Sequence, residues 1–227
     1  MKKTKKIVAL FLAAVMLVCT TVAATVAYLT SVTEVVENTF TVGNVKITLD
    51  EAKVNEKGLK DNSTSTRVTD NSYHVYPGMT YDKDPQVHVK PKSEEAYIRM
   101  LVTVDSVNDL KAAFPATDKD GKATEYATWY NGEIFLLQYL VEGWNKDVWE
   151  FEGYNNGTYE FRYFETVETL GETTDTDLAP LFTKVKIPAG LDNEHLAHLD
   201  DVKINIIAHA MQAEGFADAD AAWAQWK

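Results

Sequence analysis

The chain has 227 residues, of which 45% are hydrophobic and 25% are charged. This composition is enough for one well-packed core and excludes a disordered chain. The residues after Ala27 contain 18 Lys and Arg against 34 Asp and Glu, a formal net charge of −16. Because nucleic acids and anionic lipid headgroups are bound by clustered Lys and Arg, this charge excludes a nucleic-acid binder and predicts no membrane contact beyond the export segment.

The first segment of the chain predicts export. Lys2 to Lys6 are basic, residues 7–18 are apolar, and the small-residue tail that ends at Ala27 suits a signal peptidase. We therefore expect a secreted, extracellular or cell-surface protein. The alternative is a retained membrane anchor, since residues 7–29 are long enough to cross about 30 Å of hydrocarbon. Lipidation of the single cysteine, Cys19, is disfavoured because Val18 precedes it, and no thiol chemistry is available further along the chain.

Alternating apolar residues predict strands in the first half of the mature chain. Residues 40–49 alternate, with a phase shift at Gly43, and the polar residues 51–71 are typical of a long surface loop. A turn at Pro77-Gly78 precedes the strand signals at 87–89 and 98–104.

The second half repeats the pattern with stronger turn signals. A short helix is expected over 107–114, a turn at 118–121 and an aromatic stretch at 126–130. Further strands are expected at 134–141, 148–151, 159–163, 181–187 and 202–212, with a helical turn near 194–199. The connector 153–157 is a strong hairpin signal, because Asn-Gly tolerates the positive φ of a tight turn.

These elements predict an all-β protein with an antiparallel β-sandwich or jelly roll and short helices in the connections. The predicted organisation is a signal peptide (1–27), an extended N-terminal segment (28–39) and a single β-sandwich domain (40–227). Trp223 and Trp226 in the C-terminal tail are expected to close one end of the core.

The residues that could carry chemistry are few. His195 and His198, with Glu194 beside them and His209 on the next strand, form the one histidine cluster, but the His-Glu-x-x-His string of a zinc protease is absent. Asp118, Asp120 and Glu125 are better explained by a turn than by a calcium loop, because Ala116 stands where the loop needs an acid. No nucleophile elbow or phosphate-binding glycine loop occurs. We therefore predict no catalytic residues, no metal site and no cofactor.

Two stretches near the N-terminus, Ala24-Thr25-Val26-Ala27-Tyr28-Leu29-Thr30 and Glu37-Asn38-Thr39-Phe40-Thr41-Val42-Gly43, resemble the TasA/camelysin family of Gram-positive exported proteins. The similarity continues through Val75–Met79, Lys83–Pro85 and Ala208–Phe216. It implies a β-sandwich and cleavage between Ala27 and Tyr28 by a dedicated signal peptidase. It also implies extracellular fibres of the biofilm matrix, in which the N-terminal strand of one subunit completes the sheet of the next.

The candidate donor strand is Tyr28–Val36, whose key residues are Tyr28, Thr30, Val32, Val35 and Val36. An edge strand within the same molecule or a frayed terminus would explain this segment equally well. The expected partners are copies of the same chain, other matrix or cell-wall components, and the signal peptidase during export. Two other functions remain open: a camelysin-like surface metallo-endopeptidase, and a monomeric adhesin that binds glycan or protein through Trp129, Tyr130, Trp144 and Trp149.

Overall fold

The computed structural model describes residues 44–130, 140–200 and 202–226, with residues 128–130 described by their backbone alone. The predicted signal peptide, cleavage site and donor strand lie outside these residues, as do the start of the first predicted strand and residues 134–139. No helix in the described ranges is long and apolar enough to span a bilayer.

Eleven strands form in the described part of the chain. They are β1 (Ile47–Ala52), β2 (Arg67–Val68), β3 (Thr80–Asp82), β4 (Gln86–Val89), β5 (Ala96–Val104), β6 (Val141–Glu142), β7 (Trp149–Asn155), β8 (Thr158–Tyr163), β9 (Thr176–Asp177), β10 (Lys184–Lys186) and β11 (Ile204–Gln212). The helices are α1 (Val107–Ala113), a 3-10 helix (Glu125–Tyr130), α2 (Asn193–Ala197) and α3 (Ala219–Trp223).

The strands pair antiparallel in three sheets. Two sheets have four strands, in the orders β2-β1-β4-β9 and β11-β5-β8-β7, and the third has three, in the order β3-β10-β6. The antiparallel, all-β sandwich predicted from the sequence is confirmed.

The side chains of strand β5 point alternately toward the core and toward the outer face of the sheet. Its inward residues Ile98, Met100 and Val102 are at most 1% exposed. The intervening residues, including Arg99, lie on the outer face of the sheet. On the facing four-stranded sheet, Val87 and Val89 of β4 are fully buried and belong to the same hydrophobic cluster. Burying one face of each sheet in this way is the main stabilising contribution to the sandwich.

The predicted hairpin connects β7 and β8. Its turn consists of Asn156 (φ 46°) and Gly157 (φ 89°), as the Asn-Gly signal requires. The preceding residues 153–155, which the sequence placed in the connector, belong to β7. A bulge between Phe151 and Gly153 shifts the register and keeps the strand paired.

We expect Gly157→Ala to destabilise the protein by about 1–3 kcal/mol. The left-handed backbone at Gly157 disfavours a side chain, and an added Cβ would lie 3.1 Å from the Val104 carbonyl oxygen and 3.1 Å from the Val107 Cγ2. Chemical denaturation of the two proteins measures the loss. The matched control is Gly121→Ala, where φ is also positive but an added Cβ meets nothing within 4 Å, so only the backbone strain remains.

The prediction of a surface loop over 51–71 is wrong in part. Glu51 and Ala52 complete β1, and β2 pairs with them through Val68 and Arg67. The guanidinium of Arg67 bonds to the Asp50 carboxylate and lies 3.2 Å from the Asp84 carboxylate. These long-range ion pairs hold a two-residue strand that has no hydrophobic alternation of its own.

The C-terminal tail does not close one end of the core as predicted. Helix α3 places Trp223 over the outer face of the β11-β5-β8-β7 sheet, where the Arg99 guanidinium lies 4.3 Å from its ring centroid. Trp226 stacks on His209 of β11 with ring centroids 4.3 Å apart. The tryptophans cover a cationic side chain on the outside of the sheet, because a guanidinium is attracted to the face of an indole.

Candidate functional site

The candidate site is an open edge, which we define as the unpaired side of β11 together with the facing part of β1. Strand β11 pairs with β5 on one side and with no described strand on the other. Its nine residues include no Asp, Glu, Lys or Arg. A long edge strand without charge is one that natural proteins usually protect, because its free amides and carbonyls can pair with another chain.

The register identifies which backbone groups of β11 face away from β5. The Ala213 amide donates to the Glu95 carbonyl (2.8 Å) and the Asp105 amide donates to the Lys203 carbonyl (3.1 Å). In an antiparallel pair the hydrogen-bonding residues alternate, so the odd-numbered residues of β11 face β5. The amides and carbonyls of Ile204, Ile206, Ala208 and Ala210 therefore point toward the open edge.

The same even-numbered residues direct their side chains to the core but are not fully covered. Ile204, Ile206, Ala208 and Ala210 are half-buried and pack on the hydrophobic cluster. The inward row of the neighbouring β5, by contrast, is almost completely buried. Apolar surface at the end of the sandwich is therefore left accessible beside β11.

Strand β1 supplies the other side of the open edge. It contacts β11 across the sandwich, and its inward residues Ile47 and Leu49 are half-buried, as is Val45 before it. Residues 47–50 pair with β4, while β2 extends along β1 at Glu51 and Ala52 alone. An added strand here could hydrogen-bond to a free edge and cover apolar residues of both sheets.

The opposite edge of the same sheet is protected. Strand β7 carries two exposed residues, Glu150 and Glu152, and it contains the bulge that interrupts regular pairing. Charges and bulges at an edge disfavour the addition of another strand. The two edges of this sheet are therefore chemically different.

His209 is the one ionisable side chain of β11. Burial, with the positive charge of Arg99 as the next cause, lowers the pKa of His209 below its ordinary value of 6.5, so the imidazole is uncharged at pH 7. The Arg99 guanidinium lies 3.5 Å from the Glu160 carboxylate. On the outer face, Ile207 is 51% exposed, which gives an incoming strand an apolar side chain to pack on.

The histidines singled out in the sequence do not converge. His195 lies on α2 with its Nδ1 2.7 Å from the Asp192 carboxylate, whereas His209 stacks on Trp226. No group of three His, Cys, Asp or Glu side chains in the described ranges could hold a metal ion. The Asp118 carboxylate accepts hydrogen bonds from the Asp120 and Lys122 amides, which is the turn predicted from the sequence.

Two of the four aromatic residues proposed for an adhesin, Trp144 and Trp149, do not form an exposed platform. Trp149 is 1% exposed, and its Nε1 donates to the Ala179 carbonyl at 2.9 Å. Trp144 is half-buried and packs edge-on against Phe161, with ring centroids 4.9 Å apart. The side chains of Trp129 and Tyr130 are not described. Trp149 and Trp144 therefore stabilise the core.

Sequence reasoning missed a charged row on the outer face of the β2-β1-β4-β9 sheet. It consists of Arg67, Asp50, His88 and Asp177, one residue from each strand, with alternating sign. The alternation of Val87 and Val89 could have placed His88 on the outer face. Its partners are 38 and 89 residues away in the chain, so no local pattern could have named them.

Comparison with known proteins adds no family assignment. No protein-family model matches the chain, and no curated protein or solved structure matches it.

Proposed function

We propose that this protein is an exported structural subunit that self-assembles into extracellular fibres by strand addition. The N-terminal segment Tyr28–Val36 of one subunit is the donor, and the open edge of the next subunit is the acceptor. The observation that carries the proposal is the uncharged edge of β11, whose even-numbered residues present backbone groups that pair with no described strand, together with half-buried side chains.

The chemistry of the two partners is complementary. The donor contains Val32, Thr33, Val35 and Val36, β-branched residues that favour an extended strand, and one charged residue, Glu34. Pairing along β11 would add main-chain hydrogen bonds of about 0.5–1.5 kcal/mol each. It would also cover the half-buried row shared by β11 and β1. The resemblance to the TasA/camelysin family supports the same assembly and the export route.

The first test is deletion of residues 28–36 from the secreted chain. We expect a folded monomer, because the deletion removes the donor and leaves all eleven described strands. Size-exclusion chromatography and negative-stain microscopy measure assembly, and circular dichroism measures the fold. Assembly is best induced at high protein concentration and acidic pH, where the repulsion between subunits of charge −16 is reduced.

A pair of single substitutions provides the matched control. Val32→Pro removes a strand amide and should act like the deletion, whereas Val32→Thr keeps the amide and the β-branched shape and should assemble. Fibres from the truncated chain, or an intact secreted chain that stays monomeric under all these conditions, would contradict the proposal.

A further inference from the structure

His88 lies at the centre of the charged row and is bonded on both sides. Its Nδ1 lies 2.5 Å from an Asp177 carboxylate oxygen, and its Nε2 lies 2.8 Å from an Asp50 carboxylate oxygen. Ionised carboxylates only accept hydrogen bonds, so both ring nitrogens must donate. The geometry therefore requires the doubly protonated imidazolium.

The charged groups around this imidazolium come from every neighbouring strand. Asp50 is on β1, Asp177 on β9 and Arg67 on β2, and Asp84 on the connection before β4 contacts Arg67. At the far end of β4, Lys90 bonds to Asp175 at 2.6 Å. Burial works against the charged form of His88, but the hydrogen bonds to Asp177 and Asp50 outweigh it and raise its pKa above 6.5.

The two aspartates are not held equally. Asp50 is bonded to Arg67 as well as to His88, whereas His88 is the one cationic side chain in the described ranges that contacts Asp177. Asp177 is 60% exposed, and β9 pairs with β4 at two residues. A neutral imidazole has a single N–H and can keep one of the two carboxylates as an acceptor. Asp177 has fewer ionic partners than Asp50, so it is the aspartate whose bond to His88 is lost more easily.

We infer that His88 is a pH-dependent latch that fixes β9 to the edge of β4 when protonated and loosens it when neutral. The stabilisation is complete below pH 6.5, the ordinary pKa of a histidine. It is lost as the pH rises through the higher pKa of His88 in the folded protein. Loosening β9 uncovers the edge of β4, a different surface from the open edge of β11. The inference does not depend on the proposed function.

Hydrogen exchange tests the latch directly. Peptides that cover residues 174–178 are followed by mass spectrometry at pH 6 and pH 9, with β5 amides in the same protein as the internal reference for the chemical effect of pH. The exchange of β9 relative to β5 should rise about tenfold or more at pH 9, since a charge-assisted hydrogen bond is lost. In His88→Gln, which cannot carry the charge, the relative exchange should be high at both pH values.

The matched control is His195→Gln, which removes the imidazole from an exposed His–Asp pair with an Nδ1–Oδ1 distance of 2.7 Å. It should behave like the unmodified protein. Asp177→Asn should also abolish the pH dependence, because the carboxylate is removed while the size is kept. A relative exchange that does not change between pH 6 and pH 9, or a His88→Gln protein with the pH response of the parent, would overturn the inference.

Discussion

Ala208→Pro should abolish fibre growth and leave the subunit folded. Ala208 is in the middle of β11, and its amide points toward the open edge and away from β5. Proline at this position removes one free donor and places its ring where an added strand would approach. Since the ladder with β5 loses no bond, the free energy of unfolding should change by no more than about 1 kcal/mol.

Ala208→Val is the control for size. Valine is apolar and similar in volume to proline, but it keeps the backbone amide. This variant should therefore assemble like the parent protein. A synthetic peptide of residues 28–43 gives a second measurement, since it should bind the chain that lacks 28–36 and fail to bind when Ala208→Pro is added. Fibres from the Ala208→Pro variant would show that β11 is not the acceptor, even if the chain that lacks residues 28–36 forms no fibres.

Trp149→Ala should produce the largest loss of stability. The indole is buried, donates to the Ala179 carbonyl, and packs edge-on against Tyr163 with ring centroids 5.0 Å apart. Removing it leaves a cavity and an unpaired carbonyl, at a cost of about 3–5 kcal/mol. The free energy of unfolding of an ordinary domain is about 5–15 kcal/mol, so this loss is a large part of it. Urea denaturation followed by circular dichroism measures the change.

Two substitutions separate the reasons for this loss. Trp149→Phe keeps an aromatic ring and removes the hydrogen bond, so it should lose less than the alanine variant. Trp226→Ala removes an indole that is 39% exposed and should have a smaller effect still. An alanine variant at 149 that keeps full stability but loses glycan binding would support the adhesin alternative instead.

The sequence predicted the elements whose signal is local. Strand β5 alternates without interruption, and Asn156-Gly157 specifies its own turn, so both were located from their residues alone. The apolar alternation over 202–212 likewise predicts β11. That it lies at the edge of the sheet formed by the described strands could not be predicted, because edge position depends on which strands pair.

The parts that could not be predicted depend on contacts between distant residues. Strand β2 is held by the ion pairs of Arg67 with Asp50 and Asp84, and its two residues are too few to show a strand pattern in the sequence. Trp223 covers Arg99 on the outer face of the sheet, although a buried tryptophan in an apolar tail is usually expected in the core. In both cases a cation that the sequence pattern treats as a solvated surface residue determines the packing.

In the proposed assembly, the difference between the two edges of the β11-β5-β8-β7 sheet would also set how many neighbours each subunit can bind. In that assembly β7 is closed by glutamates and a bulge, so this sheet offers one acceptor edge and the N-terminal segment supplies one donor. Subunits of valence two form unbranched chains with distinct ends. A molecule carrying Ala208→Pro could still donate its N-terminal segment, so a small fraction mixed with the parent protein would occupy chain ends and shorten the fibres in proportion to its amount.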